Sequence, residues 1–188
     1  MRRRRVLQLG LLAAAALAVG GHTPYPQWTV YRRRNLFIVA GRTDEAAVAL
    51  ARAAAAILAA RLPASKAQAT RATDVLRVGS LIATRQLDLA ILMEAEAAAL
   101  LDGSGPFTTI GAAPLRTVFA FGTHLLVARD DFQARHAYLV AETLDRFRDE
   151  LPVGVPVGAP MSAVPLHPGV AAYFGGLPPP ADPAAGDE

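Results

Sequence analysis

Residues 115–129, LRTVFAFGTHLLVAR, decide the fold of this 188-residue chain. Two β-prone runs, Leu115–Phe121 and His124–Arg129, are separated only by Gly122-Thr123. A two-residue connection that contains glycine is typical of a tight β-hairpin. The stretch therefore predicts an antiparallel hairpin, and so short a connection leaves no room for a further domain between its two strands.

Upstream of the hairpin, three short runs have the character of strands. The first of them, Leu36–Ala40, is apolar and is followed by Gly41, which is typical of a buried strand. Lys66–Thr70 alternates weakly, and Leu87–Leu92 is again apolar. The sequence therefore predicts three strands before the hairpin.

A helix is predicted after each of these strands. Asp44 is a suitable N-cap for a helix that reaches Arg61, and Asp74 for a second helix. A third helix is predicted over Met93–Leu101, ended by Gly103. The order β-α-β-α-β-α predicts a parallel three-stranded layer with helices packed on it.

Downstream of the hairpin, the sequence predicts one more helix and then a tail. The helix is expected to start near Asp131, and its apolar stripe consists of Val140, Leu144, Phe147 and Leu151. From residue 152 prolines and glycines recur, which disfavours helix and central strand. We expect an α/β lobe over 35–151, with a mainly parallel sheet flanked by helices and an antiparallel hairpin. A Pro/Gly-rich tail follows over 152–188, with a docked segment near 165–174.

The amino terminus has the three parts of a secretory signal. Arg2–Arg5 is followed by the apolar run Val6–Val19, within which Ala16–Ala18 has the small-x-small pattern of a cleavage site. The run is shorter than the roughly 20 residues that span a bilayer core. The sequence thus predicts a signal peptide over 1–18, a linker over 19–34 and a periplasmic location. An uncleaved signal that anchors the chain in the inner membrane is the alternative.

Charge and cysteine content exclude several classes of protein. The net charge is +3, from 19 Lys and Arg against 16 Asp and Glu. Without the four arginines of Arg2–Arg5 there are 15 basic residues against 16 acidic ones, so nucleic acid is not an expected partner. The absence of cysteine excludes disulfides, thiolate nucleophiles and Cys-ligated zinc.

Several segments, in their order along the chain, resemble the solute receptors of TRAP transporters of the TAXI type. The His-Pro-Gly-containing segment Pro165–Phe174 is the most specific of them. The other matching segments are Val39–Gly41, Ala60–Pro63, Ala69–Thr73, Gln86–Leu92 and Leu125–Asp130. The resemblance implies an exported solute-receptor-like binding protein of a TAXI/TRAP-type transport system, with membrane transporter subunits as partners.

The chain departs from these receptors where their second lobe would be. The receptors hold their ligand between two lobes joined by crossing strands, whereas Phe119–Thr123 alone separates the corresponding strands here. The resemblance therefore implies a single lobe of a periplasmic-binding-protein type II-like fold. A second copy or transporter subunits would have to cover its site. The alternative is a periplasmic interaction or scaffold module that has lost ligand binding.

The expected ligand site lies at the carboxyl ends of the parallel strands, where open α/β sheets bind ligands. Arg42 and Arg71, beside helix N-termini, suit a carboxylate, so the expected ligand is a small organic anion. The candidate ligand-binding residues are Gly41, Arg42, Thr43, Thr70, Arg71, Thr73, Met93 and Glu94.

No arrangement of residues in the sequence predicts catalysis or a metal. Glu94 and Glu96 are two apart on a predicted helix and do not face each other. The four histidines, His22, His124, His136 and His167, have no i, i+3 or i, i+4 pairing of the kind a metal-binding helix shows. We expect no enzyme activity, no metal and no cofactor.

Overall fold

The computed structural model describes residues 35–181. The predicted signal peptide over 1–18 and the linker over 19–34 lie outside these residues, as do residues 182–188. The strands are β1 Phe37–Gly41, β2 Gln68–Ala72, β3 Leu89–Met93, β4 Leu115–Ala120 and β5 His124–Arg129. The α-helices are α1 Glu45–Arg61, α2 Val75–Ala83, α3 Glu94–Asp102, α4 Ala134–Arg146 and α5 Pro168–Phe174.

The described strands form one five-stranded mixed sheet in the order β2-β1-β3-β5-β4. β1 pairs in parallel with β2 and β3, while β5 pairs antiparallel with both β3 and β4. The predicted α/β class, parallel layer and hairpin are confirmed. The sheet is mixed rather than mainly parallel, because the returning strand of the hairpin inserts between β3 and β4.

Helices cover both faces of the sheet. Alternate residues of the central strands point to opposite faces, so that Ile38 belongs to one core and Val39 to the other. The first core contains residues of α1, α4 and α5, and the second contains residues of α2 and α3. The described part of the chain thus has a helical layer on each side of the sheet.

The predicted helix boundaries hold where a capping residue marks the end of the helix. Asp44 accepts a hydrogen bond from the Ala47 N–H at 2.9 Å, and Asp74 accepts one from the Arg77 N–H at 2.8 Å. Gly103 ends α3 in the left-handed conformation, with φ of 67°. Each device satisfies backbone groups that the helix end leaves unpaired.

Strand β2 begins two residues later than the sequence predicts. Pro63–Ser65 forms a 3₁₀ turn, and Lys66 takes a left-handed conformation with φ of 47°. A residue in that conformation cannot pair in a strand, so pairing starts at Gln68. Arg71, which lies beyond the predicted strand, is therefore inside β2 together with Thr70.

Helix α4 begins three residues after its expected start near Asp131. The Arg129 guanidinium donates two hydrogen bonds, of 2.7 and 2.8 Å, to the Asp131 carboxylate, which is thus ion-paired instead of capping the helix. Val140 and Leu144 are buried as expected, but Leu151 lies beyond the end of the helix.

The tail contains a helix where its proline and glycine content predicts none. Pro168 occupies the first turn of α5, where its missing N–H costs nothing. The Tyr173 hydroxyl of α5 donates to Asp145 of α4 at 2.8 Å. Burial, this hydrogen bond and the negative charge of Asp145 raise the pKa of Tyr173 to about 12. Helix α5 is packed against α4, so this segment of the tail is part of the folded lobe.

The tail also covers the outer edge of β4. The Thr117 N–H donates to the Pro165 carbonyl at 2.8 Å, and the His167 N–H donates to the Thr117 carbonyl at 3.0 Å. These bonds form a parallel bridge between Thr117 and Leu166. One of the two edges of the sheet is therefore covered by the chain itself at Thr117.

His167 is held as a neutral imidazole at the start of α5. Its Nδ1 accepts from the Gly169 N–H at 3.2 Å, so its Nε2 carries the proton that is donated to the Phe132 carbonyl at 2.8 Å. Burial lowers the pKa of His167; the Phe132 hydrogen bond opposes this, the nearby Arg116 charge lowers the pKa further, and Asp130 raises it.

We expect this histidine to make the fold sensitive to acid. Its pKa is depressed in the folded chain, so its stabilising contribution is present above the unfolded pKa of about 6.5. The contribution is lost as the pH falls below that value toward the folded pKa, because the unfolded chain then binds the proton more readily. Denaturant unfolding measured at a series of pH values should show that the free energy of unfolding decreases as the pH falls below about 6.5.

A matched pair of variants checks the assignment. His167→Gln should unfold more easily at neutral pH and lose part of the acid dependence. His136→Gln, which replaces an exposed histidine on α4, should keep the dependence. An unchanged pH profile in His167→Gln would assign the acid sensitivity to other groups.

Candidate functional site

The structure brings six of the eight predicted site residues to one edge of the sheet. The Arg42 N–H donates to the Ala72 carbonyl at 2.9 Å, which joins the end of β1 to the end of β2. A Cβ on Gly41 would lie 3.3 Å from the Asp74 carbonyl carbon, so glycine permits this close approach. The residues at this edge are Gly41, Arg42, Thr43, Thr73, Met93 and Glu94.

The helix N-termini at this edge are already occupied by carboxylates of the chain. Asp44 caps α1 and Asp74 caps α2, and Glu96 of α3 accepts from the Met93 N–H at 3.1 Å. The Arg77 N–H bond lowers the pKa of Asp74, and Thr73 and the Arg42 charge contribute. An incoming anion would therefore meet negative charge at each helix start.

Glu94 faces the tail rather than solvent alone. Its Oε1 accepts a hydrogen bond from the Ala163 N–H at 3.2 Å. The neighbouring Met93 is 43% exposed. This side of the edge thus offers an acid and an apolar side chain, a combination that does not attract anions.

Thr70 and Arg71 belong to a separate place, a groove between β2 and α1. By strand register, Ala69 and Arg71 lie opposite Ile38 and Ala40 and share their face of the sheet, on which α1 packs. The groove has a volume of about 440 Å³. We name it the arginine groove; it is lined by Val48, Ala51, Arg52, Ala69, Thr70 and Arg71.

The described residues give the arginine groove two positive charges and no negative one. Its lining contains Arg52 and Arg71 but neither aspartate nor glutamate. Within residues 35–181, neither guanidinium forms a hydrogen bond or an ion pair. Several other arginines of the lobe are paired, as Arg148 is with Asp145 at 2.7 Å. Arg52 was absent from the predicted site because it lies 19 residues before Arg71, on a helix.

The sequence alone did not identify His124, a buried histidine at the carboxyl ends of the parallel strands, as a site residue. His124 Nε2 lies 2.9 Å from Asp44 Oδ2, and its Nδ1 lies 3.1 Å from the Thr123 hydroxyl. Because 80 residues separate His124 from Asp44, no local spacing could reveal the pair. The contact joins the start of α1 to the hairpin turn.

Asp44 has two functions in this arrangement. It caps α1 and also holds His124. Burial raises its pKa, but the Ala47 N–H bond, the His124 hydrogen bond and the His124 charge together lower the pKa below its usual value. The ionised form is thus stabilised in the folded chain.

We expect Asp44→Ala to lower the free energy of unfolding by about 1–2 kcal/mol, because the helix loses its cap and His124 loses its acceptor. Asp44→Asn retains a capping oxygen, so it should cost less. Urea unfolding of both variants measures the difference. Equal losses in the two variants would show that the charge of Asp44, not its capping bond, provides the stability.

The described residues contain no other conspicuous site. Between Asn35 and Ala181, no three His, Asp or Glu side chains are grouped so that they could hold a metal ion. In the same range, no helix is long and apolar enough to cross a membrane. Comparison with protein-family models and with curated protein sequences gives no match for this chain.

Proposed function

We propose that the chain is a receptor-like binding protein that takes a small organic anion in the arginine groove. The observation that carries the proposal is a pair of guanidinium groups, Arg52 and Arg71, that have no partner within residues 35–181 and lie in a groove to which these residues contribute no acid. Guanidinium groups bind carboxylates through paired, charge-assisted hydrogen bonds. The volume of about 440 Å³ is in the range of sites for small molecules.

Binding to the isolated chain is expected to be weak. Arg52 and Arg71 are both exposed, and a charge pair in contact with water contributes little. We expect a dissociation constant on the order of 1 mM for a carboxylate ligand. A second copy or membrane transporter subunits that cover the groove would exclude water and tighten binding.

In this proposal the chain is one lobe of a periplasmic-binding-protein type II-like fold, exported to the periplasm as part of a TAXI/TRAP-type transport system. The order of strands and helices supports the assignment. The hairpin supports a single lobe, because only Phe121–Thr123 separates β4 from β5. Two-lobed receptors would insert their second lobe at this point.

A periplasmic interaction or scaffold module is the second candidate. It is favoured by the capped helix N-termini at the strand ends, since the usual ligand position of an open sheet is already filled by Asp44, Asp74 and Glu96. In this candidate the lobe keeps its fold and binds a protein instead of a solute.

Calorimetric titration with citrate tests the first candidate. The wild-type chain should bind, and the Arg52→Gln, Arg71→Gln double variant should lose at least about tenfold in affinity. Arg77→Gln is a matched control, because Arg77 is an exposed arginine on α2, across the sheet. Affinity that is equal in the double variant and in the control would exclude the groove as the site.

A further inference from the structure

We propose that the outer edge of β2 binds an extended acidic segment of a partner protein, which adds to the sheet as a sixth strand. The segment would carry Asp or Glu at alternate positions, directed into the arginine groove. The proposal goes beyond the binding of a small anion, although both use Arg52 and Arg71. It rests on the backbone of β2, the register of its side chains and the charge of the groove.

Among residues 35–181, the backbone of β2 has one paired side and one free side. The Gln68 N–H donates to the Leu36 carbonyl at 2.9 Å, and the Ala72 carbonyl accepts from Arg42, so both residues face β1. Alternate residues of a strand direct their N–H and C=O groups to opposite sides. The backbone groups of Ala69 and Arg71 therefore face outward, and no residue within 35–181 pairs with them.

Among the described residues, the tail covers one edge of the sheet, and nothing covers the other. The outer edge of β4 is covered by the tail through Thr117, Pro165 and His167. The outer edge of β2 has no such cover among the described residues. Unpaired edges of this kind accept an additional strand through backbone hydrogen bonds.

Side-chain register determines which residues of an added strand enter the groove. Ala69 and Arg71 point to the face on which α1 packs, whereas Thr70 lies opposite Val39 and points to the other face. An added strand alternates in the same way. Every second side chain would therefore lie beside Arg52 and Arg71, and acidic side chains are the ones that these arginines favour.

Charge favours an acidic partner over a second copy of the chain. Antiparallel pairing of two β2 strands would bring both Arg71 side chains, and both Arg52 side chains, to one face without an acid between them. Like charges in neighbouring positions of paired strands are destabilising. The same charge disfavours apolar strands, which is how natural edge strands avoid unspecific pairing.

Two peptides of the same composition test the register. The probe is fluorescein-labelled Ser-Val-Glu-Val-Glu-Val-Ser, whose glutamates share one face of a strand. The control is Ser-Glu-Val-Val-Glu-Val-Ser, whose glutamates point to opposite faces. By fluorescence anisotropy with the full chain, the probe should bind at least about tenfold more tightly than the control.

A proline substitution tests the strand addition itself. Ala69→Pro removes an N–H that faces outward and leaves the hydrogen bonds to β1 in place, a position that edge strands tolerate. It should abolish probe binding while the far-ultraviolet circular dichroism spectrum remains unchanged. Ala69→Ser keeps the N–H and a small side chain, so it should bind the probe as the wild type does.

The outcomes separate this proposal from the small-anion site. Probe binding that survives Ala69→Pro, or equal binding of the two peptides, would overturn the strand addition. So would concentration-dependent dimerisation of the free chain that Ala69→Pro prevents, because it would assign the edge to a second copy. Probe binding without citrate binding would reject the small-anion proposal and support the strand addition alone.

Discussion

Replacing Gly169 by alanine is expected to release α5 from the lobe and to lower the free energy of unfolding by about 3 kcal/mol, the upper end of overpacking costs. A Cβ at this position would overlap the carbonyl oxygen of Ala134 and lie 3.0 Å from the Tyr138 nitrogen. Both atoms belong to the backbone of α4, so no side chain can rotate away to make room. The helix must shift as a whole, which breaks the His167 hydrogen bonds.

A second glycine of the same tail provides the control for this variant. A Cβ on Gly154 would have no atom within 4 Å, so Gly154→Ala should be neutral or slightly stabilising. Denaturant unfolding gives the free energies, and limited proteolysis reports whether the tail is released. A Gly169→Ala chain as stable and as protease-resistant as the Gly154→Ala chain would show that α5 does not pack as described.

Phe107→Ala is expected to cost about 3–5 kcal/mol, the usual range for a buried phenylalanine. Phe107 is 0% exposed and belongs to the core between the sheet and α2 and α3. Its ring occupies the space that a side chain on Gly79 would need, since a Cβ there would lie 2.7 Å from the ring. The aromatic side chain and the glycine are therefore a matched pair.

A double-mutant cycle checks that pairing. Gly79→Ala alone should be destabilising because the buried ring must move. Combined with Phe107→Ala, the added methyl group should refill part of the cavity, so the double variant should lose less stability than the two single losses together. Strict additivity would mean that the two positions do not contact each other.

Local signals predicted most of the fold. The hairpin follows from Gly122-Thr123, and Gly122 has φ of 77°, which glycine adopts without strain. Asp44 and Asp74 cap their helices as their positions suggest. In these cases the structure-determining contact lies within a few residues along the chain, where a sequence pattern can show it.

The sequence-based predictions of the fold were wrong where contacts between residues far apart in the chain determine the structure. Helix α5 forms in a proline-rich tail because Gly169 can approach α4 and His167 can bond to Phe132, a contact across 35 residues. The position of β5 between β3 and β4 depends on the packing of the whole sheet. Neither contact leaves a spacing pattern in the sequence.

The candidate site was only partly predictable for the same reason. Arg71 and Thr70 were identified, but as residues at the carboxyl end of the strand and not of a groove beside it. The groove with Arg52 exists because the register of β2 on β1 directs Arg71 toward α1. The sequence could not predict this register, because it placed the start of β2 at Lys66, two residues before the observed start at Gln68.

The most direct test of the arginine groove as the anion site is a citrate titration of the isotopically labelled chain followed by the backbone amide signals. Shifts should concentrate at the groove, on Ala51, Arg52, Ala69 and Arg71, and they should disappear in the Arg52→Gln, Arg71→Gln double variant. Shifts concentrated instead at the strand ends, on Arg42, Thr43 and Thr73, would contradict this assignment of the site.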